Sequence, residues 1–119
     1  MRKKPKTVLV ADDNPTIRKA LCFMFEAIED YALCAEASDG REAIRLAIRY
    51  RPDIIILDLS MPVIDGLAAA AKLKQILPKT PIILFTQHAG AETKFSHIDL
   101  VVQKSEGAKL LDHIRALAP

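Results

Sequence analysis

Apolar and polar positions along the 119 residues alternate between two periodicities. Val8–Ala11 is a short apolar run. After Asp12, Asp13 and Asn14, the residues Ile17, Leu21, Met24 and Ile28 recur at helical spacing, which predicts a helix from Pro15 to about Ile28. Asn14 suits its N-cap, because Pro15 fits the first helical position. Tyr31–Ala37 reads as a second, weaker strand, followed by a helix capped by Ser38 or Asp39 and running through Ile44, Ala47 and Ile48. Ile54–Leu57, between Asp53 and Asp58, is apolar on both faces, as a central parallel strand covered on each side should be. Met61-Pro62 and Asp65-Gly66 predict a turn, and Leu67–Leu77 an alanine-rich helix stopped by Pro78. Ile82–Thr86 is a fourth strand, Ala91–Ser96 a short helical segment, and Ile98–Gln103 a fifth strand. Ser105 then caps a last helix with Leu110, Leu111, Ile114 and Leu117 inward. Five strands alternating with about five helices predict a single α/β domain over residues 1–119, a parallel sheet with helices on both faces.

Composition narrows the classes of function. The net charge of +2 gives no argument for direct nucleic-acid binding. Arg2, Lys3, Lys4 and Lys6 form a basic N-terminus (residues 1–6) that reads as solvated and frayed. No apolar run reaches membrane-spanning length, and none follows the basic end as in a signal peptide. Cys22 and Cys34 lack metal-type spacing and read as reduced core thiols of a cytoplasmic protein.

The polar residues at strand ends carry the chemistry. Asp12 and Asp13 end the first strand, Asp58 the third, Thr86 the fourth and Lys104 the fifth. In parallel α/β sheets ligands bind outside the carboxyl ends of the strands, so all five fall on the binding edge. If strands one and three are neighbours, three carboxylates converge. At about 4 Å and an effective dielectric near 20, each pair repels by roughly 4 kcal/mol. A hard cation such as Mg²⁺ relieves this with oxygen ligands. Carboxylate, divalent metal, the Lys104 ammonium and the Thr86 hydroxyl together suit phosphoryl chemistry. Two arrangements compete: an Asp that itself receives the phosphoryl group, and a small Mg-dependent phosphatase. The second resembles the haloacid dehalogenase type through Asp12-Asp13-Asn14-Pro15-Thr16, with Asn14 where that motif has its second Asp. A flavin-binding module is disfavoured, since this stretch repels phosphate.

The segments VLVADDNPTIRKAL, PDIIILDLSMPVIDGL, PIILFTQH and VVQKS resemble the receiver domain of bacterial two-component response regulators over essentially the whole chain. The resemblance implies a flavodoxin-like, doubly wound sheet of order 2-1-3-4-5. It implies Asp58 as phosphoacceptor, Asp13 as a direct Mg²⁺ ligand with Asp12 holding metal-bound water, and the Ser60 carbonyl completing the protein ligands. Lys104 pairs with one phosphoryl oxygen and Thr86 hydrogen-bonds another. The implied partners are a sensor histidine kinase or phosphotransfer protein and an output domain or protein; a phosphorylation-dependent dimer is compatible with it. The domain is then a phosphoacceptor regulator that assists its own phosphorylation and dephosphorylation, not an enzyme acting on other substrates. A non-phosphorylated receiver-like module is a further alternative.

Three positions depart from the family pattern. Val101 stands where an aromatic is usual, and Ser105 where Pro usually follows the Lys. Thr86 and Lys104 are only 18 positions apart, which predicts a shortened fourth helix. These touch the reporting surface and leave the phosphorylation chemistry alone. His88, His97 and His113 are isolated, Asp65 shapes the turn with Gly66, Asp53 lies on the opposite edge, and Asp30, Asp39 and Asp99 read as cap or turn residues.

Overall fold

A computed structural model describes residues 4–87 and 97–117. The elements are β1 (Lys6–Ala11), α1 (Pro15–Glu26), β2 (Tyr31–Ala37), α2 (Gly40–Tyr50), β3 (Ile54–Leu57), α3 (Gly66–Ile76), β4 (Ile82–Thr86), β5 (Leu100–Gln103) and α4 (Leu110–Leu117), with a 3₁₀ stretch over Lys104–Lys109 before α4. All strand pairs are parallel and the order is β2-β1-β3-β4-β5, the doubly wound arrangement expected. The predicted short helix at Ala91–Ser96, the shortened fourth helix and His88 lie outside the described residues.

Strand alternation sorts side chains into two cores. Leu9, Ala11, Ile55, Leu57, Ile82 and Leu84 pack against α2 and α3, through Ala43, Ala47, Ala69, Ala70 and Leu73. Val8, Val10, Ile54, Ile56, Ile83 and Phe85 pack on the other face against α1 and α4, through Leu21, Phe25, Leu110 and Ile114. Small alanines on α2 and α3 let those helices approach the sheet closely. In β3 all four residues are buried because both faces are covered.

The caps follow from local chemistry. Asn14 Oδ1 accepts from the Thr16 and Ile17 amides at 2.9 and 3.3 Å, with Pro15 at the first helical position. Asp39, rather than Ser38, caps α2 by accepting from Glu42 N at 2.8 Å, while Glu42 Oε1 accepts from Ser38 N at 3.1 Å. Asp65 caps α3 through Ala68 N at 2.9 Å.

Two expectations for the last helix fail. Ser105 does not cap it; its hydroxyl donates to Gln103 Oε1 at 3.3 Å, and Glu106 leaves helical backbone angles (φ −106°, ψ 26°), so α4 begins only at Leu110. Leu117 is exposed rather than inward, because the final turn runs past the edge of the core. Cys22 is buried, whereas Cys34 is half-buried and is the residue left unpaired where β2 bulges between the Val8–Leu33 and Leu9–Ala35 pairs. Both thiols are free. Burial, and then the Glu36 carboxylate, push Cys22 up to about 11.

On the edge of the sheet away from the carboxyl ends, Asp53 and Thr7 clasp each other, with Thr7 N donating to Asp53 Oδ2 at 2.8 Å and Asp53 N to Thr7 Oγ1 at 3.1 Å. Asp99 is more than a turn residue: its carboxylate accepts from Ile82 N at 2.7 Å and pairs with Lys74 at 2.8 Å. Asp30 forms a two-pronged bond with Arg115 that ties α4 to the start of β2.

Candidate functional site: an acidic pocket at the carboxyl edge

The sheet ladders themselves place the acids. Asp12 N donates to Ala37 O at 3.0 Å and Asp58 N donates to Ala11 O at 2.9 Å, each one rung beyond the end of its strand. β1 and β3 are neighbours, so Asp12, Asp13 and Asp58 meet, and each offers a carboxylate oxygen within 4.8 Å of the others. Asp12 is 1% and Asp58 6% exposed, while Asp13 faces solvent.

Lys104 reaches in from the end of β5. Its Nζ stands 2.9 Å from Asp12 Oδ2 and 3.5 Å from Asp58 Oδ1. The nearer partner is Asp12, so Asp58 is the less neutralised of the two buried acids. Burial, followed by the Asp12 charge, raises Asp58 to about 6, opposed by Lys104 and by a hydrogen bond from the Ser60 backbone. At neutral pH Asp58 is thus mainly ionised. Thr86 is buried at the end of β4. Ser60 is exposed and lines an open depression with Asp13, Leu59, Met61, Pro62 and Asp65.

The loop joining Asp58 to α3 is held tightly. Ile64 N donates to Pro62 O at 2.9 Å around Val63, whose φ of 71° makes a three-residue turn rare for a β-branched residue. A Cβ on Gly66 would collide with the Asp58 carbonyl oxygen, and one on Gly40 with the Ile64 carbonyl oxygen. Gly40 was not singled out from sequence, and neither were Arg18 and Glu36, which border the acidic turn. Their proximity depends on α1 crossing β2, which spacing along the chain does not reveal.

The chain matches the response regulator receiver domain over residues 8–115. It belongs to that family. Among curated relatives, an uncharacterized transcriptional regulatory protein of Bacillus subtilis, YxjL, is 32% identical over 99% of this chain and 56% of its own length. A protein-glutamate methylesterase/protein-glutamine glutaminase of Hahella chejuensis is 35% identical over 77% of this chain and 24% of its own length. A two-component response regulator of the LuxR family from Aurantimonas superposes with a TM-score of 0.87 at 32% identity, covering 96% of this chain and 86% of that one. This receiver domain spans from a quarter to just over half of the two curated relatives. It is a regulatory domain of phosphorylation-controlled two-component signalling. Among the described residues no helix is long and apolar enough to cross a membrane.

Proposed function

We propose that Asp58 accepts a phosphoryl group from a phosphohistidine of a sensor kinase or phosphotransfer protein, in a reaction that requires Mg²⁺. The observation carrying this reading is the meeting of three carboxylates from two adjacent strand ends with one ammonium from a third. An Asp58 carboxylate oxygen attacks phosphorus; the P–O bond forms as the P–N bond breaks, and the imidazole leaves with the bonding electrons and takes up a proton. Asp13, Asp58 and the Ser60 carbonyl would hold the metal, with Asp12 as an outer partner. The metal supplies charge neutralisation at the phosphoryl oxygens. Lys104 pairs with one of those oxygens and Thr86 donates to another. The rival phosphatase reading loses support because Asn14 Oδ1 is engaged in capping α1 and its amide provides no general acid. The domain works in the cytoplasm, has no catalytic activity toward other substrates, and makes no direct nucleic-acid contact; the remainder of a longer protein, or a separate partner, carries the output.

Mn²⁺ in place of Mg²⁺ should broaden the amide signals of residues 12–14 and 58–60. Lys104→Ala should retain that broadening while slowing phosphorylation by acetyl phosphate by roughly 10²-fold. Broadening elsewhere, or steady turnover of phosphate esters without an acyl phosphate, would refute the assignment.

The switch follows from what the pocket lacks. Val101 is half-buried against the α2 and α3 side of the sheet and has no ring to swing. Phosphorylation then acts through Thr86 on the segment 87–97, of which residues 88–96 lie outside the described ones, with Val101 packing passively. Beryllofluoride should produce large amide shifts across 87–97 that disappear in Thr86→Ala. Shifts confined to residues 12–14, 58–60 and 104 would show instead that this receiver transmits its state weakly.

A further inference from the structure

Arg18 has no role in the chemistry above, yet it is bonded to the turn that carries two of the acids. Its Nη1 donates to the Asp12 main-chain carbonyl at 2.8 Å and its Nε to Glu36 Oε1 at 3.2 Å. The side chain is one-fifth exposed. Asp12 is otherwise fixed without it: its amide goes to Ala37 O, its Oδ1 accepts from Asn14 N at 2.9 Å, and its Oδ2 pairs with Lys104. None of those bonds engages the carbonyl of the peptide joining Asp12 to Asp13, and that carbonyl is the atom Arg18 holds. Asp13 is exposed, and among the described residues its carboxylate has no hydrogen-bond or ion-pair partner, so its aim depends on that peptide. Glu36 precedes Ala37 on β2, opposite Val10, and so anchors the guanidinium to the sheet.

Resting on the metal reading above, we propose that Arg18, oriented by Glu36, is a positioning residue that aims Asp13 at the divalent cation by locking the Asp12–Asp13 peptide. The sign of the effect separates this from a simple charge. A guanidinium beside a cation site repels the incoming ion, so charge alone makes Arg18 a handicap to Mg²⁺ binding. A planar fork that bridges a carbonyl and a carboxylate is a geometric device that lysine cannot reproduce.

The test is a Mg²⁺ titration of wild type, Arg18→Gln and Arg18→Lys, followed by amide shifts in the absence of any phosphodonor. Positioning requires Arg18→Gln to weaken Mg²⁺ about tenfold and Arg18→Lys to weaken it severalfold despite its retained charge. In metal-free protein, the Asp13 amide should show the largest change in shift. During phosphorylation by acetyl phosphate, the half-saturating Mg²⁺ concentration should move more than the plateau rate. Tighter or unchanged binding in Arg18→Gln overturns the proposal. If that variant does not fold, Arg18→Lys decides alone, and unchanged affinity there overturns it equally. Wild type is titrated first: if it fails to bind at residues 12, 13 and 58, the metal reading itself falls and takes this inference with it.

Discussion

Asp58→Asn should abolish acyl phosphate formation and, in the same molecule, make the metal-free domain more stable at neutral pH. The first effect follows from removing the nucleophile. The second follows from the raised titration of Asp58, which burial and Asp12 push up to about 6 from an ordinary 3.8. The fold prefers this carboxyl protonated, so its favourable contribution is complete below about pH 4 and is lost as pH rises through about 6. Roughly two pH units correspond to about 3 kcal/mol. Without divalent ions, Asp58→Asn should therefore exceed wild type by about 2–3 kcal/mol at pH 7.5, with the gap closing toward pH 4. Urea denaturation at a series of pH values reads this difference directly, and titrating groups remote from the pocket cancel between the two proteins. Mg²⁺ should narrow the gap at pH 7.5 by stabilising wild type more than the variant. A variant no more stable than wild type at pH 7.5 would show that the acids are not in conflict.

Gly66→Ala is expected to damage both the fold and the site. An added Cβ would overlap the Asp58 carbonyl oxygen and lie 2.9 Å from Leu59 Cα, both backbone atoms of the loop that positions the phosphoacceptor. Gly66 N also donates to Leu59 O at 2.9 Å, so the loop cannot move away without losing that bond. Overpacking against backbone should cost about 3 kcal/mol or more, lowering the thermal midpoint by about 10 °C. Acetyl phosphate labelling should fall as well, because relief of the overlap displaces Asp58. A midpoint within about 2 °C of wild type would mean that the loop yields freely.

Much of this was legible in the chain because the signals were redundant. Ile54–Leu57 could only be a doubly covered strand, and Asn14-Pro15 announced a helix start; both hold. The meeting of Asp12, Asp13 and Asp58 followed from adjacency of strands one and three, taken from the family resemblance. The last helix misled because Ser105 is a good cap by type, while the backbone at Glu106 breaks the helix before a cap there could act. Asp99 read as a turn residue because its two partners, Lys74 and the Ile82 amide, are distant in sequence. Arg18 and Glu36 escaped for the same reason: an exposed-looking charge on a helix and another on an edge strand give no local sign that they meet.

The pocket draws its charges from opposite ends of the chain. The three acids belong to the first 58 residues and meet through β1 and β3, whereas Lys104 directly follows β5, the edge strand made last. During synthesis from the N-terminus all three acids are made before Lys104, and because a domain folds as a unit the charge-balanced pocket forms only once β5 has been added. The charge balance of the site is therefore a property of the complete sheet and of no smaller part of it.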